Sequence, residues 1–223
     1  MAINSSKPSG MRRQPRQARS QERVNQILDV AEEMFITQGY NATTTNAIAS
    51  HAKVPIGSLY QFFPDKAAIL QALAVRYTEE LHQCLTNLDL SGDETGTLPL
   101  VTFVDRIIDT TAQFFTARPG YHAIFMEVQG TMPELDLIED AADARLIQDL
   151  ATSLKQYSLE LDSEGYEVIA FVVVKAIGNF LWLSLSQEEN FRQRLVAETK
   201  KLTLSYLQNY LPSATHSTVT ESN

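Results

Sequence analysis

Two short helical segments, separated by a break too brief for anything but a tight turn, constrain this chain more than any other feature. A threonine run, Thr43 to Thr45, offers a helix N-cap, and Ile48, Ala49 and Ala52 follow at helical spacing. Lys53-Val54-Pro55 then interrupts the pattern, and a second short segment carries Leu59, Tyr60 and Phe63. Pro64-Asp65 closes that segment. Two short helices joined by three or four residues have the size of a helix-turn-helix. Ala49 is small where the helices would cross, and Ile48, Ala52, Val54 and Leu59 supply a shared apolar face. On the second helix Ile56, Ser58, Gln61 and Phe62 are left to point outward. A helical corner with a polar surface fits the same pattern.

The flanks extend the helical pattern. Ser20 is an expected N-cap for a helix whose apolar positions are Val24, Ile27, Leu28, Ala31, Met34 and Phe35. Gly39 stands where a left-handed C-terminal residue is needed, so that helix should end near Gln38. Asp65 is expected to cap a longer connector helix with Ala68, Ile69, Leu70, Leu73 and Leu81 on its apolar side. A loop from about 87 to 97 precedes helical patterns near 98–117, 119–129, 134–159, 163–185 and 188–210. No strand-like alternation competes, so the fold class is all-α: an N-terminal three-helix helix-turn-helix domain and a larger helical domain. The boundaries are a flexible basic arm over 1–18, the helix-turn-helix domain over 19–66, the helical domain over 67–212 and a polar tail over 213–223.

At 223 residues the chain suits a small module joined to a larger one. The net charge of −9 is unevenly spread. Residues 1–66 carry eight basic and five acidic groups, whereas the remainder carries ten basic and twenty-two acidic groups. A polyanion must therefore meet the N-terminal part. The arm, with Lys7, Arg12, Arg13 and Arg16, is either a minor-groove contact or a solvated tail.

The single cysteine, Cys84, and the lack of an apolar signal-like core at the N-terminus point to a cytoplasmic setting. The apolar run from Tyr166 to Leu185 is interrupted by Glu167, Lys175, Gly178 and Asn179, so a buried helix is expected there and no membrane partner. His51, His82, His122 and His216 lack metal-ligand spacing, and the chain has no phosphate-binding glycine loop and no nucleophile elbow. No metal, no cofactor and no enzymatic activity are expected.

The stretch from Ile27 to Lys66 resembles the N-terminal domain of the tetracycline-repressor (TetR) family of transcriptional regulators. The resemblance rests on Gly39-Tyr40, Thr44-Thr45, Ile48-Ala49, Val54, Gly57-Ser58-Leu59-Tyr60, Phe63 and Asp65-Lys66 in register. It implies phosphate contacts from Thr44, Thr45, Tyr60 and Lys66, and base contacts from Ile56, Gly57, Ser58, Gln61 and Phe62 on a recognition helix started by Pro55. Asn46 would reach the same groove. A glutamine amide pairs bidentately with adenine, which makes Gln61 the best discriminator. The chain departs from the family at Lys53, a turn position often filled by glycine, where a left-handed non-glycine residue costs about 1 kcal/mol.

The resemblance further implies a homodimer on a palindromic double-stranded DNA operator, a repressor's role and release by a small hydrophobic effector. Dimerisation would fall to Phe171, Val174, Ile177, Gly178, Leu181 and Trp182 on the helix near 163–185, with Phe191, Leu195 and Leu202 on the last helix. Phe103, Ile107, Phe114, Tyr121, Phe125, Met126 and Leu146 would line the effector cavity, with Arg118, His122 and Glu127 as polar contacts. Both apolar sets also fit ordinary core packing, and Arg118, His122 and Glu127 fit plain surface positions. A helical adaptor that binds protein in place of DNA is the alternative.

Overall fold

The computed structural model describes residues 18–90, 97–128, 130–157 and 161–211. Among these residues it contains nine helices: α1 (Ala18–Gln38), α2 (Thr45–His51), α3 (Ile56–Phe62), α4 (Lys66–Thr86), α5 (Leu100–Ala117), α6 (Pro119–Val128), α7 (Pro133–Leu154), α8 (Ser163–Ser184) and α9 (Glu189–Gln208). The expected basic arm, but for Ala18, and the polar tail lie outside the described residues.

The chain divides into two compact units. One comprises the described residues up to Gln83 together with Phe115–Ala142, the other Cys84–Phe114 together with the described residues from Asp143 onward. The first holds α1, α2, α3, α6 and most of α4. All six apolar residues expected on α1 are buried, from Val24 to Phe35. Ser20 lies within α1 and is not its cap, because the helix already includes Ala18. Gly39 ends α1 at φ +85°, its N–H bonded to the Phe35 carbonyl at 3.0 Å, the left-handed closure that glycine accepts without strain.

Polar ties fasten α4 and α6 to this unit. The Glu32 carboxylate of α1 accepts from both the Tyr77 hydroxyl and the Arg76 guanidinium of α4, and Arg76 also pairs with Asp29 at 2.6 Å. Tyr77 is buried, which pushes its hydroxyl far above the ordinary phenol range, so it stays a neutral donor to Glu32. Arg118 pairs with Glu80 at 2.7 Å. Where α6 begins, Gly120 lets the helix approach α1 closely, since a Cβ there would fall 2.2 Å from Ile36 Cδ1. Tyr121 packs on Tyr77 with ring centroids 4.5 Å apart and on Phe125 at 4.6 Å.

The second unit is built on α5, α8 and α9 with the C-terminal part of α7. Phe103, Val104 and Ile108 on α5 are buried, as are Ile169, Ala170, Val173, Ile177 and Leu181 on α8. Lys200 of α9 bonds to Asp109 of α5 at 2.8 Å, and Lys175 of α8 to Asp143 of α7 at 2.6 Å. Asp162 caps α8 by accepting from Gly165 N at 2.8 Å. The helix expected to reach 159 ends at Leu154, where the N–H groups of Lys155, Gln156 and Tyr157 turn to carbonyls three residues back. Helix α8 is long and apolar enough to cross a membrane by length and composition, a test that core helices also pass.

Candidate nucleic-acid interface

The helix-turn-helix takes the expected form, and each local bond has a residue that explains it. Thr44 caps α2, its Oγ1 accepting from Ala47 N at 3.2 Å with the backbone extended. After α2 the chain turns through Lys53 at φ +52°, the non-glycine left-handed residue anticipated from the sequence. Bonds from Lys53 N to Ser50 O at 3.1 Å and Val54 N to Ala49 O at 3.0 Å hold the turn. Pro55 precedes α3, where its missing N–H is no loss, and its carbonyl accepts from Ser58 N and Leu59 N. Ile48, Ala49, Ala52 and Leu59 form the shared buried face.

The opposite face of α3 is open. Ile56, Gly57, Tyr60 and Gln61 are exposed and Ser58 is half-buried. A Cβ at Gly57 would meet nothing within 4 Å, so the protein's own packing does not require glycine there. Thr44 and Asn46 are exposed at the start of α2, and Thr45 Oγ1 lies 3.0 Å from Tyr60 OH. Two residues fifteen positions apart, both expected at phosphates, are thus brought together at one edge of the motif.

Phe62 corrects the expectation that it faces outward. It is 4% exposed, because with Leu59 and Phe63 it occupies the inner side of the α3 terminus, three and four residues apart. Lys66 also has structural partners. Its Nζ donates to the carbonyls of Tyr40, Asn41 and Thr43 at 2.5, 3.3 and 2.9 Å and lies 4.2 Å from the centre of the Tyr40 ring. Burial lowers its pKa, opposed by the charge of Glu127. Its three ammonium protons match three carbonyls of the α1–α2 loop.

The N–H groups of that loop are held by Glu127 of α6. Its Oε2 accepts from Tyr40 N at 2.7 Å, and its Oε1 from Asn41 N and Asn41 Nδ2, each at 3.2 Å. The two backbone bonds hold the carboxyl below its ordinary pKa, with the Lys66 charge adding to the effect and burial opposing it. An anion on the loop's amides and a cation on its carbonyls therefore fix the segment that leads into α2. Glu127, named from the sequence as a polar cavity contact, has this role instead, and Arg118 is paired with Glu80. Only the fold brings residues 86 and 87 positions apart together, so no sequence signal marks the Glu127 clamp.

The residues expected to line an effector cavity fall in both units. Tyr121 and Phe125 are buried in the first beside Tyr77, whereas Met126 is exposed there. Phe103 and Phe114 are buried in the second, with Ile107 and Leu146 half-buried. Tyr157, not anticipated, meets Phe103 edge-on with centroids 5.5 Å apart.

The expected dimer residues divide by exposure. Ile177 and Leu181 are 6% and 1% exposed, so they belong to the protomer's own core, on the inner side of α8. Phe171, Phe191 and Leu202 are exposed, and Val174, Gly178, Trp182 and Leu195 are half-buried. Val168, Val172, Phe180 and Leu183 are exposed on α8 as well. A Cβ at Gly178 would meet nothing within 4 Å.

Among the described residues no group of three or more His, Cys, Asp or Glu is placed to hold a metal ion. Residues 27–73 match the model of the bacterial regulatory proteins of the tetR family, and residues 99–207 that of the tetracyclin repressor-like C-terminal domain. In Bacillus subtilis (strain 168), the HTH-type transcriptional regulator YuxN is 25% identical over 127 residues, or 54% of this chain. YxaF, from the same organism, is 38% identical over 76 residues, or 33% of this chain. The chain spans 40% of the length of each of these two relatives.

A tetR-family transcriptional regulator from Streptomyces coelicolor shares the fold at a TM-score of 0.62 and 17% identity, over 85% of this chain and 83% of its own. The fatty acid degradation regulator FadR of Bacillus halodurans does so at 0.56 and 17%, over 82% and 94%. With both halves matched in order and the helix-turn-helix formed as described, the chain belongs to the TetR family of transcriptional regulators.

Proposed function

We propose that the protein is a cytoplasmic, homodimeric repressor that binds a palindromic operator through α3 and leaves it when a small hydrophobic effector binds. The observation that carries the DNA half is the open face of α3, with Ile56, Gly57, Tyr60 and Gln61 exposed beside the Thr45–Tyr60 pair. Gln61 pairs with a base edge, Ile56 meets a thymine methyl, and Gly57 lets the helix backbone come close to the DNA. Thr44, Thr45 and Tyr60 hold phosphates, as Ser58 and Asn46 extend the contact within the groove. Lys66 acts through the α1–α2 loop that it fixes.

A single motif of this size reads few base pairs, so a two-fold dimer places two α3 helices about 34–36 Å apart on successive major grooves. The exposed apolar stripe on α8, with Phe171, Val172 and Leu183, supplies the interface together with Phe191 and Leu202 of α9. Gly178 gives close approach. Phe103, Ile107, Phe114 and Leu146 of the second unit serve the effector. The named role of the Bacillus halodurans neighbour in fatty acid degradation makes acyl compounds the first effectors to try.

Glu127 gives effector binding a route to DNA. Helix α6 lies within the stretch matched by the C-terminal family domain yet is packed in the same compact unit as the helix-turn-helix. A ligand that favours a different α6 position alters the loop that Glu127 holds, and a hundredfold loss of operator affinity needs about 2.7 kcal/mol of such differential binding. The test is release: acyl compounds titrated into a complex with a selected DNA fragment should lower its affinity, and affinity unchanged by every compound would remove the effector half. A protein partner bound in preference to DNA would favour an adaptor.

A further inference from the structure

The phenol oxygen of Tyr157, in the unit built on α5, α8 and α9, is shut off from solvent and has no hydrogen-bond partner. It is the only buried side-chain polar atom among the described residues in that position. Burying a hydroxyl without a bond is costly, and folded proteins seldom leave one so unless something outside the chain satisfies it. The ring packs edge-on against Phe103, which is 1% exposed, and follows Leu154, which is fully buried. An apolar surround of this kind adds to the cost of the missing bond.

We propose that the Tyr157 hydroxyl is the polar anchor of the effector site, and that it donates to an uncharged oxygen, a carbonyl, ether or hydroxyl, on an otherwise apolar molecule lying along Phe103. The inference rests on the effector reading above and adds the ligand's chemistry. Burial pushes the hydroxyl up to about 12, so it stays protonated and can donate to an acceptor. That shift traces to burial with no charged group among the described residues contributing, which favours an uncharged partner over a buried carboxylate. A trapped water is the weaker occupant, because buried waters usually make about three hydrogen bonds and no second buried, unbonded side-chain atom stands among the described residues to share it.

The test uses the full chain and Tyr157→Phe, with methyl decanoate and decanoate as probes, followed by thermal unfolding and calorimetric titration. A hydroxyl with no protein partner can be removed at no cost, so the free variant should melt at the same temperature as the parent or higher. The ester should bind the parent about tenfold more tightly than the variant, whereas decanoate should bind both weakly and alike. A variant that melts several degrees lower would show that the hydroxyl has a partner in the protein, and the inference would fall. Equal ester affinity for both proteins, or a preference of the parent for decanoate that the substitution abolishes, would also overturn it. So would an ester that fails to bind the parent, an outcome that leaves operator release by other ligands to decide the effector reading separately.

Discussion

The carboxylate of Glu127 accepts the backbone N–H of Tyr40 at 2.7 Å, tying helix α6 to the loop that leads into the helix-turn-helix. Glu127 is exposed, so water replaces it partly when it is lost, and its worth lies in position more than in global stability. Glu127→Ala should speed amide exchange at Tyr40 and Asn41 about fivefold to tenfold, as expected for loss of a charge-assisted bond at an exposed site, with little change in melting temperature. Unchanged exchange at both amides would rule out the clamp.

Acid should act at the same point. The folded-state pKa of Glu127 is depressed, so its contribution is complete above the unfolded carboxylate value and is lost as the pH falls through the lower folded value. NMR titration should give a midpoint below the ordinary glutamate value, and Lys66→Met should move it upward because the lysine charge is one of its causes. A midpoint at or above the ordinary value would contradict the geometry.

Gly120→Ala sets a new methyl against Ile36 Cδ1 and Cγ1, at 2.2 and 2.8 Å before any movement. Ile36 is 46% exposed and can swing aside, so the cost should be about 1 kcal/mol, at the low end of overpacking. Adding Ile36→Ala should remove most of it. Additive effects of the two substitutions in a double-mutant cycle would place the strain elsewhere.

Tyr77→Phe leaves the Glu32 carboxylate with one fewer donor at a partly buried site and should destabilise by about 1–3 kcal/mol, measured by denaturant unfolding. The loss should be larger than for Tyr60→Phe, whose hydroxyl is exposed and bonded to Thr45. On DNA the order reverses. Tyr60→Phe should weaken every fragment alike, whereas Gln61→Ala should cost about 1–3 kcal/mol at one base position. Equal effects on selected and random DNA for both variants would refute that division.

How much of this was legible in the sequence follows from the range of the interactions. Helix periodicity, the Thr44 and Asp65 caps, the positive φ of Gly39 and the Lys53 turn are local, and the chain announces each within a few residues. Phe62 faces inward where the spacing alone leaves the choice open, because Leu59, Phe62 and Phe63 lie side by side and the choice between solvent and core depends on the neighbouring helix. Ile177 and Leu181 present the same difficulty on α8, a helix apolar nearly all round. The Lys66 and Glu127 clamp and the Tyr77–Glu32 bond join residues dozens of positions apart, and composition holds no trace of them.

Phe171 and Leu183 are 52% and 58% exposed on α8, and a dimer formed through α8 would cover them. Phe171→Glu or Leu183→Glu should give a folded monomer by analytical ultracentrifugation, with unchanged helicity and about a tenfold or greater loss of operator affinity, as half-site binding becomes uncoupled. A variant that remains dimeric would place the interface on another face.

Selection of genomic fragments by the purified protein, followed by salt titration and stoichiometry on the best fragment, decides whether the chain reads an operator. A palindromic site bound by a dimer is expected, with affinity falling steeply as salt rises because phosphates are neutralised on binding. Enrichment of no sequence, or binding that Gln61→Ala leaves equal at every base position, would contradict it.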